Sequence, residues 1–462
     1  MPVESISVTG LFGSRDVKVQ LRNNHIVLIG ANGLGKTTLI NSIFYFLCRR
    51  WDKLFNLPLN SISIVYDGIS LSARREDYER FNDLSTLVDH KILSRLPNIL
   101  RRRILLDPNI LFSTLNAIDN PKSLESQSLR YEIKSQDLYG IFKDIENDLV
   151  DKNRLFATDH YLKQNQPSIL FFPTYRKIEK NLKTLFISDD ERGIGRIEER
   201  LKEALRQDSL PGGCHEFVEF GMDEIVKKIE TNAEFLKNMV ISEFSNVATE
   251  YVKEMLQSKS LSGYIRTIKN VEDTTISRMI ERLENTRFSK NETENIKNIV
   301  LKIKQDSSPG GPENKKVYTA LFISKMLEME EKIAPVENQF RRFSTLCNAY
   351  LSRKKIVFNP KDYTLKIFLP DEKPIDFNLL SSGEKQIITL FSYLVFSENK
   401  NKKIVLIDEP ELSLSVLWQE RLLVDLSGLA DSLIAATHSP FIFSDPLIKN
   451  YTFDLYSGIT NE

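Results

Sequence analysis

Two stretches lying far apart in the chain constrain its fold more than any other feature. Near the start, Gly30-Ala31-Asn32-Gly33-Leu34-Gly35-Lys36-Thr37 satisfies GxxxxGK[ST] at every fixed position. About 340 residues later come Leu380-Ser381-Ser382-Gly383-Glu384-Lys385-Gln386 and the apolar run Lys403 to Ile407, which ends in Asp408-Glu409-Pro410. The residues before the first motif, His25 to Ile29, read as a short buried strand. Those after it, Thr38 to Leu47, read as an apolar helix. Strand, glycine loop and helix start form a phosphate cradle, because glycines let backbone N–H groups converge and the helix dipole favours negative charge. Gly30, Asn32, Gly33, Gly35 and Thr38 are its expected lining. Lys36 is expected to reach the β- and γ-phosphates of ATP, and the Thr37 hydroxyl to ligate Mg²⁺.

The run from Lys403 to Ile407 reads as a strand buried on both faces of a sheet. A carboxylate at the carboxyl end of such a strand faces the ligand crevice. Asp408 is expected to hold Mg²⁺ and Glu409 to polarise the attacking water. A second apolar strand, Leu433 to Thr437, ends in His438-Ser439-Pro440, and this order of motifs makes His438 a candidate to contact the γ-phosphate or position the water. Between the two strands, Glu411 to Ser415 forms a loop, followed by a helix from Trp418. Leu380 to Gln386 opens a helix with a serine cap and an apolar stripe through Ile387, Leu390 and Leu394.

All four motifs, in this order and with this gap, resemble the RecF/Rad50/SMC-type branch of ABC ATPases, and within it the AAA-15-like group. The opening Ser5 to Gly13 looks like that group's first strand. Phe171-Phe172-Pro173-Thr174-Tyr175-Arg176-Lys177-Ile178-Glu179 is similar to a segment of PtuA-like ATPases, the ATPase subunits of Septu antiviral systems. The resemblance implies an α/β fold: a split ABC-type, P-loop NTPase head with a mixed sheet and a helical insertion forming a lid or short arm. It implies an ATP-sandwich dimer, or a higher oligomer built from dimers, in which Ser381 and Gly383 complete the neighbour's site. It further implies control of a partner nuclease of HNH type, with nucleic acid reached through the complex. A two-gene defence ATPase with a Toprim effector (PARIS-like) and a RecF-like DNA-repair ATPase are the alternatives. The chain departs from the family pattern where Ser415 stands in place of a frequent His, and no clear Q-loop glutamine appears. Arg176, Gln164 and Gln166 lie near that place.

The expected division is 1–189 for the first part of the head, 190–350 for the insertion and 351–462 for the second part. Ser61 to Ser72 alternates and turns at Asp67-Gly68, as a hairpin does. His215 to Ser258 is the longest helical candidate, about 66 Å if continuous, and Pro211-Gly212-Gly213 and Pro309-Gly310-Gly311-Pro312 punctuate the region. Residues 76 to 165 carry no clear pattern. They hold a basic cluster, Arg95 and Arg101-Arg102-Arg103, that fits either a solvated helix face or a phosphate backbone. Lys and Arg balance Asp and Glu at 63 each, so charge gives no global attraction to nucleic acid. The three cysteines, Cys48, Cys214 and Cys347, show no metal spacing and point to a reduced cytoplasm. The first residues lack a signal-peptide profile, and no apolar run is long enough to span a membrane. After His438 no room is left for a Toprim domain, and the five histidines are scattered, so nuclease activity is expected from a partner.

Overall fold

The computed structural model describes residues 3–81, 94–106, 110–111, 114–115, 121–173, 213–216, 222–256, 262–284, 288–305, 314–396 and 403–461. The chain forms two compact units, Met1–Glu219 with Glu398–Glu462, and Phe220–Ser397. The signature helix therefore belongs to the same unit as the long helices.

The first unit contains two sheets of opposite character. One has six strands in the order Thr452–Asp454, His25–Ile29, Ser432–Ala436, Lys403–Asp408, Ser168–Phe172 and Cys214–Glu216, and every neighbouring pair is parallel. Its two central strands are apolar between their ends because both faces are covered; all five residues of Ser432–Ala436 are buried. The other has five antiparallel strands in the order Ile459–Asn461, Arg15–Gln20, Val3–Leu11, Ser61–Tyr66 and Ile69–Arg74. The expected hairpin is its last pair, with Asp67 and Gly68 both at positive φ, as a two-residue turn with the right twist requires. The mixed sheet expected from the sequence is thus one purely parallel and one purely antiparallel sheet.

The helix Lys36–Leu47 is buried on nearly every side from Leu39 onward, and one continuous core joins it to both sheets. Phe44 packs against Phe171 of the parallel sheet with ring centroids 4.6 Å apart. The segment that gave no sequence pattern forms helices, among them Asn98–Leu106, Ser135–Lys152 and Arg154–Gln164.

The second unit is mainly helical. Met222–Leu256 and Asn314–Asn348 each run for 35 residues, the latter through Pro335. Lys355–Asn359, Thr364–Phe368 and Pro374–Ile375 form a small antiparallel sheet. Its Phe358 stacks on Phe340, which also meets Phe396. Buried Arg282 is held by Glu330 and Glu337, both at 2.7 Å, so the charge is paired rather than stranded. His215 lies in a strand rather than opening the long helix, because it pairs with Leu170 at the sheet edge and tertiary pairing overrides local propensity. The Pro309 break and Pro211-Gly212 lie outside the described residues. Among the described residues, no helix is long and apolar enough to cross a membrane.

Candidate nucleotide site and signature segment

Parallel pairing brings three chain segments to one edge of the sheet. Ala436 stands opposite both Leu28 and Asp408, so the strands leading to the glycine loop, the acidic pair and His438 end side by side. Gly30 and Gly35 have φ of +143° and +96°. A Cβ at Gly35 would lie 2.8 Å from Cε2 of Phe12, so both the backbone angle and the space disfavour a side chain.

The helix that follows starts without a side-chain cap and without an acid in its first turn, leaving its leading N–H groups to the loop. Lys36 is only 6 % exposed, and its Nζ donates to the carbonyls of Gly30 at 2.7 Å and Ala31 at 3.1 Å. The same nitrogen lies 3.4 Å from Nδ1 of His438. Burial pushes the Lys36 ammonium below the usual lysine range, opposed by the charges of Asp408, Glu409 and Glu411. Those carboxylates are therefore close enough to be felt electrostatically. Thr37 and Asn32 are exposed, Thr38 is half-buried, and Asp408 is buried at its strand end.

Glu409 leaves the strand at φ +51°, an uncommon conformation for a residue with a side chain, and its N–H donates to the carbonyl of Ala436 at 2.8 Å. Such outliers persist where the surroundings fix them. Glu411 ties this loop to the neighbouring strand end. Its carboxylate accepts the Thr437 hydroxyl and the His438 N–H, both at 2.8 Å, and the Ser439 N–H at 3.1 Å. Gln419, on the helix Val416–Ser427, accepts the Ser439 hydroxyl at 2.6 Å and donates to the carbonyl of Leu414 at 2.9 Å. Sequence reasoning assigned Glu411 only to a loop and gave Gln419 no part. The signal was an extra acid two residues past the strand-end pair, beside a neighbouring strand ending in Thr-His-Ser.

Gln164 and Gln166 precede the strand Ser168–Phe172 and so lie at its amino end, away from the cradle edge. Gln164 meets His160, and Gln166 donates to the carbonyl of Leu47 and to Cys214. Parallel polarity thus removes both as Q-loop candidates. Phe172 pairs with Ile407, so the chain leaves the sheet at Pro173 level with Asp408. The remainder of that segment, with Arg176, lies outside the described residues. Of the basic cluster, Arg95 pairs with Asp144 at 2.6 Å, Arg101 contacts Asn98 and Arg103 donates to the Tyr131 hydroxyl.

In the second unit, Ser381 caps the helix Ser382–Val395 in a complete capping box with Glu384. Lys354 grips Glu384 at 2.7 Å. Burial raises the Glu384 carboxyl, but Lys354 and the Ser381 hydrogen bonds outweigh it and hold the group below the usual range. Ser381 remains exposed and Gly383 is buried. Ser415 begins the helix Val416–Ser427 without a side-chain cap bond.

The family model described as AAA ATPase domain (AAA_15) matches residues 1–443. No curated protein matches the chain. Among solved structures, the chain is similar to the Smc head domain of Pyrococcus furiosus with an extended coiled coil, bound to the C-terminal domain of ScpA. That match has 15 % identity and a TM-score of 0.33, covering 100 % of this chain and 96 % of that one. It is also similar to an Smc head bound to the C-winged helix domain of ScpA (12 % identity, TM-score 0.31, 96 % and 91 % covered). An Smc head with coiled coil and joint from Pyrococcus yayanosii gives 15 % identity, a TM-score of 0.31 and 96 % and 93 % coverage. Likenesses of this score carry no weight for function.

Proposed function

Because the chain belongs to the AAA ATPase domain family, we propose that it is the ATP-hydrolysing regulatory subunit of an antiviral defence complex and controls a partner nuclease of HNH type. The ATPase part of this reading is supported by the side-by-side placement of cradle, acidic strand end and His438. The defence part is supported by one segment, Phe171 to Glu179, which resembles the PtuA-like ATPases and leaves the sheet beside Asp408.

The residues fit a magnesium–triphosphate group. Lys36 is folded onto loop carbonyls that phosphate oxygens can replace as partners, the helix start is uncapped, and Asp408 is a buried acid at the crevice. Gly30, Asn32, Gly33, Gly35 and Thr38 form the cradle, and Lys36 binds the phosphates. Thr37 and Asp408 hold the metal, which when bound offsets phosphate charge. Glu409 polarises water and His438 contacts the terminal phosphate. Ser381 and Gly383 complete the site of a second copy, so the ATP-bound form is the closed dimer. Cytoplasmic location fits the cysteine usage.

The test is to recover the tagged protein from its native operon context, with and without ATP, alongside Lys36→Ala. Retention of an HNH protein, altered by Lys36→Ala, supports the proposal. A Toprim partner points instead to the PARIS-like alternative. Recovery of the ATPase alone, binding DNA when ATP is present, overturns the defence reading in favour of a repair role.

A further inference from the structure

We propose that Glu411 is a positioning residue that makes the loop carrying Glu409 and the loop carrying His438 move as one body. The inference rests on the ATPase reading and goes beyond it.

The sheet fixes the two strand ends, since Ile407 pairs with Ala435 and Asp408 with Ala436. The last backbone link between the two segments is the bond from the Glu409 N–H to the carbonyl of Ala436. Past it, the N–H groups of His438 and Ser439 donate to Oε1 of Glu411, and the Thr437 hydroxyl donates to Oε2. Bonds to a carboxylate are charge-assisted and stronger than neutral ones. Thr437 is fully buried, so its hydroxyl needs a partner.

Glu411 is only two residues from Glu409, and the loop between them contains no spare length. The bend is further held by the Leu412 N–H on the carbonyl of Glu409 at 3.2 Å and by the Leu414 N–H on that of Glu411 at 3.1 Å. Displacing His438 therefore drags the water-polarising carboxylate with it. The two groups expected to act at one reacting phosphate keep a fixed spacing.

The pattern of bonds supplies its own control. Both backbone donors use one oxygen, so a glutamine can keep them with its carbonyl and turn its NH₂ toward the Thr437 hydroxyl, which then accepts. Glu411→Gln keeps the frame and loses the charge, whereas Glu411→Ala loses both. Expected is a fall in kcat of about 10- to 100-fold for Glu411→Ala, in the range seen when groups orienting an active-site ligand are removed. KM for ATP should stay within about twofold, and Glu411→Gln should rescue most of the loss. A second readout needs no ATP. The imidazole Cε1–H NMR signal of His438, assigned by its absence in His438→Asn, should shift or broaden in Glu411→Ala and return in Glu411→Gln.

If Glu411→Ala does not fold, Thr437→Val removes one of the three donors and should lower kcat in the same direction. Unchanged kcat and an unchanged His438 signal in the alanine variant overturn the proposal. So does a glutamine variant as impaired as the alanine one, which would make the charge, not the frame, the active element. A wild-type protein that hydrolyses no ATP while its His438 signal responds as expected would sink the ATPase reading and leave the positioning intact.

Discussion

Replacing Gly35 by alanine tests the cradle at its tightest point. Gly35 sits at φ +96°, where an L-residue pays about 1–2 kcal/mol for the left-handed backbone. The new methyl would also lie 2.8 Å from Cε2 of Phe12 and 3.3 Å from Cδ2 of Leu11. Phe12 is 47 % exposed and can swing outward, but Leu11 is fully buried and cannot. Overpacking of this limited kind adds about 1 kcal/mol, for a total of about 2–3 kcal/mol. In a unit of this size each kcal/mol is worth about 2–4 °C, so nucleotide-free protein should melt about 4–12 °C lower by calorimetry.

Gly33→Ala is the internal control. Its φ is +82° but nothing lies within 4 Å of the added Cβ, so only the backbone share of the cost should appear. Phe12→Ala combined with Gly35→Ala should return part of the steric share and none of the backbone share. A Gly35→Ala protein that melts with the wild type refutes the reasoning, as does a double variant showing no recovery.

Glu409→Gln should retain bound ATP, slow turnover by at least about 100-fold and raise the dimer fraction in sedimentation runs with ATP; turnover at the wild-type rate would remove Glu409 from the water-polarising role. Ser381→Ala should weaken its helix by about 1 kcal/mol through loss of the cap, lower turnover and leave fluorescent-nucleotide affinity unchanged, and undiminished turnover would defeat the cross-subunit assignment. Glu146→Gln reads out pH. Burial raises the Glu146 carboxyl, yet Lys143, Lys163 and His160 outweigh it and hold it below the usual range. The unfolded chain thus binds the extra proton first, so this stabilisation is full above the ordinary carboxylate range and is lost as pH falls through the lowered value. The melting gap between wild type and Glu146→Gln should therefore be open at neutral pH and close as the pH falls below the ordinary carboxylate range; a gap that widens on acidification would contradict the assigned sign.

The central strands of the parallel sheet were legible because they are buried on both faces and so are written as unbroken apolar runs, as at Ile404 to Ile407 and Leu433 to Ala436. The hairpin was legible from Asp67-Gly68, whose backbone only such a turn uses. Cys214 to Glu216 was not, since three residues carry no period and what makes them a strand is Ile169, far away in sequence. The helix Asn314–Asn348 falls in the expected helical insertion and runs through Pro335, a residue type that argues against the helix it sits in. In the site, the motif residues were readable and their support was not. Glu411 acts largely through hydrogen bonds from backbone N–H groups, and an acceptor of backbone N–H groups leaves no mark in the partner's sequence. The polarity that removes Gln164 and Gln166 likewise appears only when the strand direction is known.

The order of strands in the parallel sheet also sets when this protein becomes competent during synthesis. The cradle strand, His25–Ile29, and the strand Ser168–Phe172 are both made early, yet they never touch. Ser432–Ala436 and Lys403–Asp408 lie between them. A chain grown only as far as residue 400 therefore has flanking strands without the two central ones, and no partner for the strand that carries the glycine loop. Pairings this distant form slowly, because the chain between must be closed first. Nascent chains should then hold no nucleotide and wait on chaperones with apolar strands exposed, and assembly of the phosphate site has to await Lys403–Asp408 and Ser432–Ala436.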